Sequence, residues 1–202
     1  MRTTLLFIFI SVLLSTSLVA QNSKLELSKV IGIQTGMPFG IAVDADDNIY
    51  LTNFDLVKYK NGIRDHHFKL EGTDKTSYGT FKLTLDGYQN YYVLNYSSSF
   101  VEKFDKHGKS VLKFGTYGTQ PGEFRYPNGI AVDKAGNIYV TDSGNNRIQK
   151  FDSSGHLLLT INNSSSTPGH GEYLTGIALD IDGNIYTIDN RINRVNKFNP
   201  EG

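Results

Sequence analysis

The feature that most restricts what this 202-residue chain can fold into is a unit that repeats. From Gly122 to Ile161 the sequence runs as four short strand-like segments, GIAVD, NIYVTD, RIQKF and HLLLTI. The breaks between them are Lys134-Ala135-Gly136, Ser143-Gly144-Asn145-Asn146 and Ser153-Ser154-Gly155, rich in residues that tolerate positive φ or bond their own backbone. The unit occurs four times. An Asp closes its first strand, at 44, 86, 133 and 180, so the copies are spaced by 42, 47 and 47 residues. An Asn opens the second strand each time, at Asn48, Asn90, Asn137 and Asn184. The third strand ends on an aromatic residue, Tyr59, Phe104, Phe151 or Phe198, and a turn glycine follows it.

Four strands in 42–47 residues is the period of a propeller blade. The expected fold class is therefore all-β, a β-propeller of four-stranded antiparallel blades. A blade in a ring is covered on both sides, which explains why NIYVTD and GIALD are apolar on both parities instead of alternating. No stretch carries a convincing helical period. The copies are expected at about 37–70, 78–117, 122–163 and 171–202. The last of them stops on the turn before its fourth strand. Residues 24–32 look like that missing strand, with Lys29-Val30-Ile31-Gly32 echoing Leu112-Lys113-Phe114-Gly115. One reading is thus a closed four-bladed ring clasped by residues 24–32, which leaves no exposed strand edge. The other is an incomplete ring, open at both ends.

The first twenty residues read as a secretory signal: Arg2, an apolar run from Leu5 to Leu14, then small residues to Ala20. The run is shorter than the roughly 20 apolar residues a spanning helix needs. Residues 21–202 then form one exported domain, and no stable membrane insertion is expected after cleavage. Removing residues 1–20 takes away one cation and leaves 19 basic against 20 acidic residues. That balance argues against a nucleic-acid partner, which calls for a basic excess. Cysteine is absent, so the domain is held by packing and is indifferent to its redox compartment.

The third copy, PNGIAVDKAGNIYVTDSGNNRIQKFDSSG at Pro127 to Gly155, resembles the NHL-repeat family of β-propellers. The fourth copy is a good match and the first a fair one. The second departs, with Lys82 for the leading Gly and Phe100 where Arg147 and Arg194 stand; the first has Asp55 there. The resemblance covers residues 37–202 and implies the fold. Rings of this kind usually have six blades, which favours the incomplete ring. Related propellers include lactonases, amidating lyases and streptogramin-type lyases, which line a central channel with a metal and acid/base groups. No matching histidine constellation stands out: His66 and His67 fall on an outer strand, and His107 and His156 at turns. Catalytic residues, a metal site and a cofactor are therefore not expected.

Strand direction places two kinds of loop on two faces. Tight turns join first to second and third to fourth strands. The longer loops, between second and third strands and between blades, share the other face, and binding residues concentrate on such loops. The candidate ligand-binding residues are Arg125, Tyr126, Asn145, Asn146, Arg147, Asn190, Arg191 and Arg194. For Arg147 and Arg194, five residues after Asp142 and Asp189, a salt bridge pinning the loop is the first reading and a ligand-facing guanidinium the alternative. The acidic turns at Asp44–Asn48 and Asp180–Asn184 have oxygen ligands at alternate positions, yet neither reaches the Glu that completes a calcium loop, and hairpin-turn chemistry accounts for them. The expectation is a non-catalytic extracytoplasmic binding module for a protein, peptide or glycan, with self-association through a blade edge if the ring is open. The alternative is a propeller enzyme of the lactonase or lyase kind with a channel metal.

Overall fold

The computed structural model describes residues 38–52, 55–69, 81–163 and 174–202. The expected signal segment and the 24–32 strand lie outside these residues. The described chain forms four antiparallel sheets, the blades of a four-bladed β-propeller. Blade one holds β1 (Gly40–Val43), β2 (Ile49–Thr52), β3 (Asp55–Lys60) and β4 (Ile63–Lys69). Blade two holds β5 (Phe81–Leu85), β6 (Tyr91–Asn95), β7 (Phe100–Phe104) and β8 (Ser110–Phe114). Blade three holds β9 (Pro127–Val132), β10 (Ile138–Asp142), β11 (Arg147–Phe151) and β12 (Leu157–Asn162). Blade four has three strands among the described residues, β13 (Leu174–Leu179), β14 (Ile185–Asp189) and β15 (Arg194–Phe198). Each sheet is a simple meander, and the one helical piece described is a single 3-10 turn at Ser143–Asn145.

The repeated residues act together at the first turn of every blade. In blade three, Asp133 accepts the backbone N–H groups of Ala135 and Asn137 and the Asn137 side-chain amide, and the Tyr139 hydroxyl donates to the same carboxylate. Asp44, Asp86 and Asp180 repeat this with Asn48 and Tyr50, Asn90 and Tyr92, and Asn184 and Tyr186. The carboxylate thus replaces a turn's missing backbone partners. On the adjacent strand a lysine lies over the same tyrosine in every blade: Lys58, Lys103, Lys150 and Lys197, at 5.4, 5.0, 5.1 and 5.3 Å from the ring centroids.

Register assigns each blade two faces, and one rule joins them. The face bearing Tyr139, Ile148, Leu159 and Ile161 packs on Leu179, Ile177, Ile185 and Phe198 of blade four. Blade two offers Tyr92, Leu94 and Val101 to Ile130, Ile138, Val140 and Phe151 of blade three, with Phe124 in the same cluster. Blade one offers Tyr50 and Leu56 to Leu83, Tyr91, Val93 and Phe104. The fourth blade ends the series. Val195 is equivalent to Leu56, Val101 and Ile148, each 0% exposed, yet it is 65% exposed; Ile188 beside it is 49% exposed. No apolar cluster among the described residues joins blade four to blade one.

Candidate functional site

Among the described residues, three of the longer loops gather where blades two and three meet. They are the β6–β7 loop (96–99), the crossing segment between β8 and β9 (115–126) and the β10–β11 loop (143–146). The crossing segment folds onto Phe124, which is fully buried against Phe114 and Phe151 at 6.4 and 5.6 Å between ring centroids. Its ends are tied by the Phe124 N–H to the Thr116 carbonyl and by the Gly118 N–H to the Phe124 carbonyl. A Cβ at Gly115 would meet the Phe124 ring at 2.4 Å, and this residue sits at φ +90°. A glycine is therefore required for the segment to turn over that ring.

Beneath the loops lies a buried polar frame centred on Asp142, which is 0% exposed. One carboxylate oxygen accepts the Arg125 N–H at 2.7 Å. The other accepts Arg147 Nε at 2.7 Å, Asn145 Nδ2 at 2.9 Å and Gln149 Nε2 at 3.1 Å. Burial pushes the Asp142 carboxyl above its ordinary value, and these donors pull against that rise. The Arg147 guanidinium also donates to the carbonyls of Gln120 and Glu123 at 2.8 and 2.9 Å. Gln149 completes the tie, accepting the Gly122 N–H and donating to the Glu123 carbonyl.

The candidate residues therefore separate into groups. Arg147 is buried and turned into the frame, the loop-pinning geometry. Asn145 donates inward to Asp142 and to the Gly118 carbonyl. Asn146, in the left-handed conformation, donates its amide to the Asn163 carbonyl. Asn190 and Arg191, on the β14–β15 loop of blade four, and Arg194, the first residue of β15, are exposed, with the Arg191 N–H on Asp189. Arg125 and Tyr126 alone face solvent at the junction of blades two and three, and the structure places two tyrosines beside them that the sequence reading missed. Tyr96 lies 5.6 Å from Tyr126 with rings inclined by 30°; Tyr117 lies 6.1 Å away at 73°. The Arg125 guanidinium sits 5.8 Å over the Tyr126 ring. Tyr117 is 58% and Tyr126 38% exposed.

Tyr126 holds a positive φ of 49°, which a bulky residue ahead of proline adopts only when its surroundings impose it. The surroundings are explicit. The Arg125 N–H is fixed on Asp142, and the Arg125 carbonyl accepts the Gly144 N–H at 2.8 Å. A Cβ on Gly144 would meet that carbonyl at 2.8 Å and the Tyr126 ring at 3.1 Å. The signal for this cluster was in the sequence as Tyr-Pro next to a long loop, but bringing Tyr96 across from blade two required the blade packing.

The opposite, tight-turn face carries a shallow cleft between blades three and four, lined by Val132, Asp133, Lys134, Leu179, Asp180 and Asp182 among others. Its repeat carboxylates, Asp133 and Asp180, are engaged by their own turns. Among the described residues no group of three or more His, Asp or Glu side chains converges as a metal site. His67 meets Asp55 at 2.7 Å on the outer strands of blade one, away from the loop cluster. No helix among the described residues is long and apolar enough to cross a membrane.

Comparison with known proteins agrees with this architecture. Residues 124–151 match the NHL repeat. No curated protein sequence matches the chain. A streptogramin B lyase structure superposes with a TM-score of 0.62 at 17% identity, over 80% of this chain and 54% of that one. The WD40 β-propeller domain of Doa1 gives 0.64 at 12% identity, over 85% and 53%. A structural genomics protein of unknown function from Bacteroides thetaiotaomicron gives 0.59 at 19%, over 79% and 46%. The chain thus spans about half the length of the solved structures it matches, and at these identities the likeness concerns the fold.

Proposed function

Because the chain is an NHL-repeat β-propeller, we propose that it works as a non-catalytic binding module whose ligand seats on the long-loop face where blades two and three meet. One observation carries this reading. Tyr117, Tyr126 and Arg125 form an exposed aromatic and cationic cluster, with Tyr96 half-buried beside it, on a crossing segment tied to the buried Asp142 frame. Exposed tyrosines offer contact area with few rotors to freeze, and a rigid support lowers the ordering cost of binding. Asn145, Asn146 and Arg147 belong to that support in this reading. Arg125 and Tyr126 remain ligand-facing, joined by Tyr96 and Tyr117. The Arg2-to-Ala20 pattern supports export, so the ligand is sought outside the cytoplasm. The similarity to a streptogramin B lyase is one of fold alone.

The test is selection of the purified full chain against a displayed peptide library and a panel of oligosaccharides, each repeated with the Tyr117→Ala, Tyr126→Ala double variant. Enrichment that the double variant loses, while its melting curve is preserved, supports the assignment. Enrichment indifferent to the double variant overturns it.

A further inference from the structure

We propose that the cleft on the tight-turn face, between the first turns of blades three and four, is a second binding site, for a short zwitterionic peptide with an apolar side chain. It lies on the face opposite the tyrosine cluster and stands independently of the role given to that cluster.

The cleft is open because a bridge between neighbouring turns is missing there. Where blades one and two meet, the Gln89 amide donates to the Asp46 carboxylate across the junction at 3.3 Å. Counted from the repeat Asp of each turn, blade three has Ala135 in place of Asp46 and blade four has Gly183 in place of Gln89. Neither has a side chain that can span the gap. What remains is a cavity of about 460 Å³ with Ala135 and Gly183 in its wall. Small-ligand sites measure roughly 300–1,000 Å³.

Its lining combines two opposite charges with apolar surface. Val132, Leu179 and Ile181 supply the apolar part, and Ile181 is 60% exposed. Lys134 stands on the blade-three wall and Asp182 on the blade-four wall. Both are exposed, and neither makes an ion pair or a side-chain hydrogen bond among the described residues. The other two carboxylates of the cleft differ. Asp133 and Asp180 each accept four hydrogen bonds from their own turns and strands. One cation and one anion are therefore available to a ligand, on facing walls.

A ligand with an ammonium at one end, a carboxylate at the other and an apolar group between them complements this arrangement; one with two like charges meets repulsion at one wall. A single amino acid carries both charges on one carbon and does not straddle the cleft. Facing sheets stand about 10 Å apart and two extended residues span about 7 Å, so a dipeptide is the shortest chain that reaches both walls with a hydrogen bond at each end. Its ammonium belongs to Asp182, its carboxylate to Lys134 and its side chain to Leu179 and Ile181.

The experiment follows amide NMR shifts of the full chain titrated with the dipeptide Leu-Ala, its N-acetyl form and its C-terminal amide. Leu-Ala is expected to bind, and each capped form to bind roughly tenfold or more weakly, because one charge-assisted hydrogen bond is lost. Asp182→Asn should weaken Leu-Ala by a similar factor and leave the affinity of the N-acetyl form unchanged; Lys134→Gln should do the same with the amide form. Both replace exposed side chains, so the melting temperature should hold. Ala135→Asp combined with Gly183→Gln restores the bridge found between blades one and two and should abolish binding. If that pair fails to fold, the two single variants decide alone. No Leu-Ala binding up to roughly 10 mM, equal affinity for the capped forms, or indifference to both Asp182→Asn and Lys134→Gln overturns the proposal. Binding that survives the restored bridge in a folded variant overturns the cleft as its place.

Discussion

Arg147 and Arg194 occupy the same repeat position, five residues after Asp142 and Asp189, yet removing their side chains should have very different consequences. Arg147 is buried and makes three hydrogen bonds, to Asp142 Oδ2 at 2.7 Å and to two loop carbonyls at 2.8 and 2.9 Å. Arg147→Ala leaves Asp142, which is 0% exposed, without its counter-charge. Breaking a buried pair in this way costs about 3–5 kcal/mol, because a charge stays buried uncompensated. At roughly 2–4 °C per kcal/mol for a domain of this size, the melting temperature should fall by about 6–20 °C. Arg194 is exposed on blade four, so Arg194→Ala should cost no more than about 1 kcal/mol. Urea and thermal melts of both variants, with Asp142→Asn and the Asp142→Asn, Arg147→Ala pair to complete a cycle, measure the difference. In the cycle the double variant should be less destabilised than the sum of the singles, since the stranded charge is gone. If Arg147→Ala costs no more than Arg194→Ala, Asp142 is not the buried anchor of the loops, and the rigid support argued for the tyrosine cluster fails with it.

Acid should destabilise the domain. Burial raises Asp44 and Asp86, but the Asn48 and Asn90 donors and the tyrosine hydroxyls overcome it and hold both below 3.8. Asp180 is held down chiefly by the Asn184 amide, Asp105 by the Lys109 N–H and Asp152 by the His156 N–H. Carboxyls depressed in the folded state contribute stability that is present above 3.8 and lost as pH falls through their folded values; Asp142, raised by burial, contributes with the opposite sign. The depressed turn carboxylates should set the sign, so that melting temperature drops below about pH 4; a rise there would refute the turn assignment. Gly129→Val puts a side chain where even a Cβ meets Thr141 Oγ1 at 2.8 Å and Ile177 and Thr175 of blade four at 3.1 Å. It should cost about 1–3 kcal/mol in a melt, whereas Gly87→Ala, with nothing within 4 Å, should cost less than about 0.5 kcal/mol. Val195→Asp on the open face of blade four should reduce self-association in sedimentation and leave the melt unchanged, while Val101→Asp at the buried equivalent should unfold blade two. Equal destabilisation by both would mean that the blade-four face is covered in the folded chain.

The scaffold was legible because it is written locally and repeatedly. Asp133, Asn137 and Tyr139 stand at offsets that return in all four blades, and the structure shows the interaction that fixes those offsets: one carboxylate collecting the turn's N–H groups, the amide and the hydroxyl. Strand order followed from turn residues and loop lengths, both short-range properties. The site was only half legible. Arg125 and Tyr126 stood out on a long loop, but Arg147 stayed among the candidates beside its loop-pinning reading, because sequence spacing does not tell an inward from an outward guanidinium. Its direction is decided by Gln120 and Glu123, more than twenty residues upstream, whose carbonyls it meets only after the crossing segment has folded over Phe124. Tyr96 and Tyr117 were missed for a related reason. Neither lies at a repeat position with a marked role, and what gathers them is the packing of blade two on blade three.

That distinction bears on where a ligand can bind at all. Interactions common to every blade, such as the Asp–Asn–Tyr turn and the lysine over its tyrosine, present the same chemistry four times and single out no place on the ring. A discrete site needs residues that break the repeat. Among the described residues, the long-loop face breaks it where blades two and three meet. Blade two lacks the pinning arginine, having Phe100 in its place, under the Lys113 ammonium, and its loop carries Tyr96. Blade three couples its arginine to a crossing segment bearing Tyr117, Arg125 and Tyr126. The exposed aromatic cluster arises where an irregular blade meets the most regular one, the partner supplying a rigid frame and the irregular blade a side chain that no other copy offers.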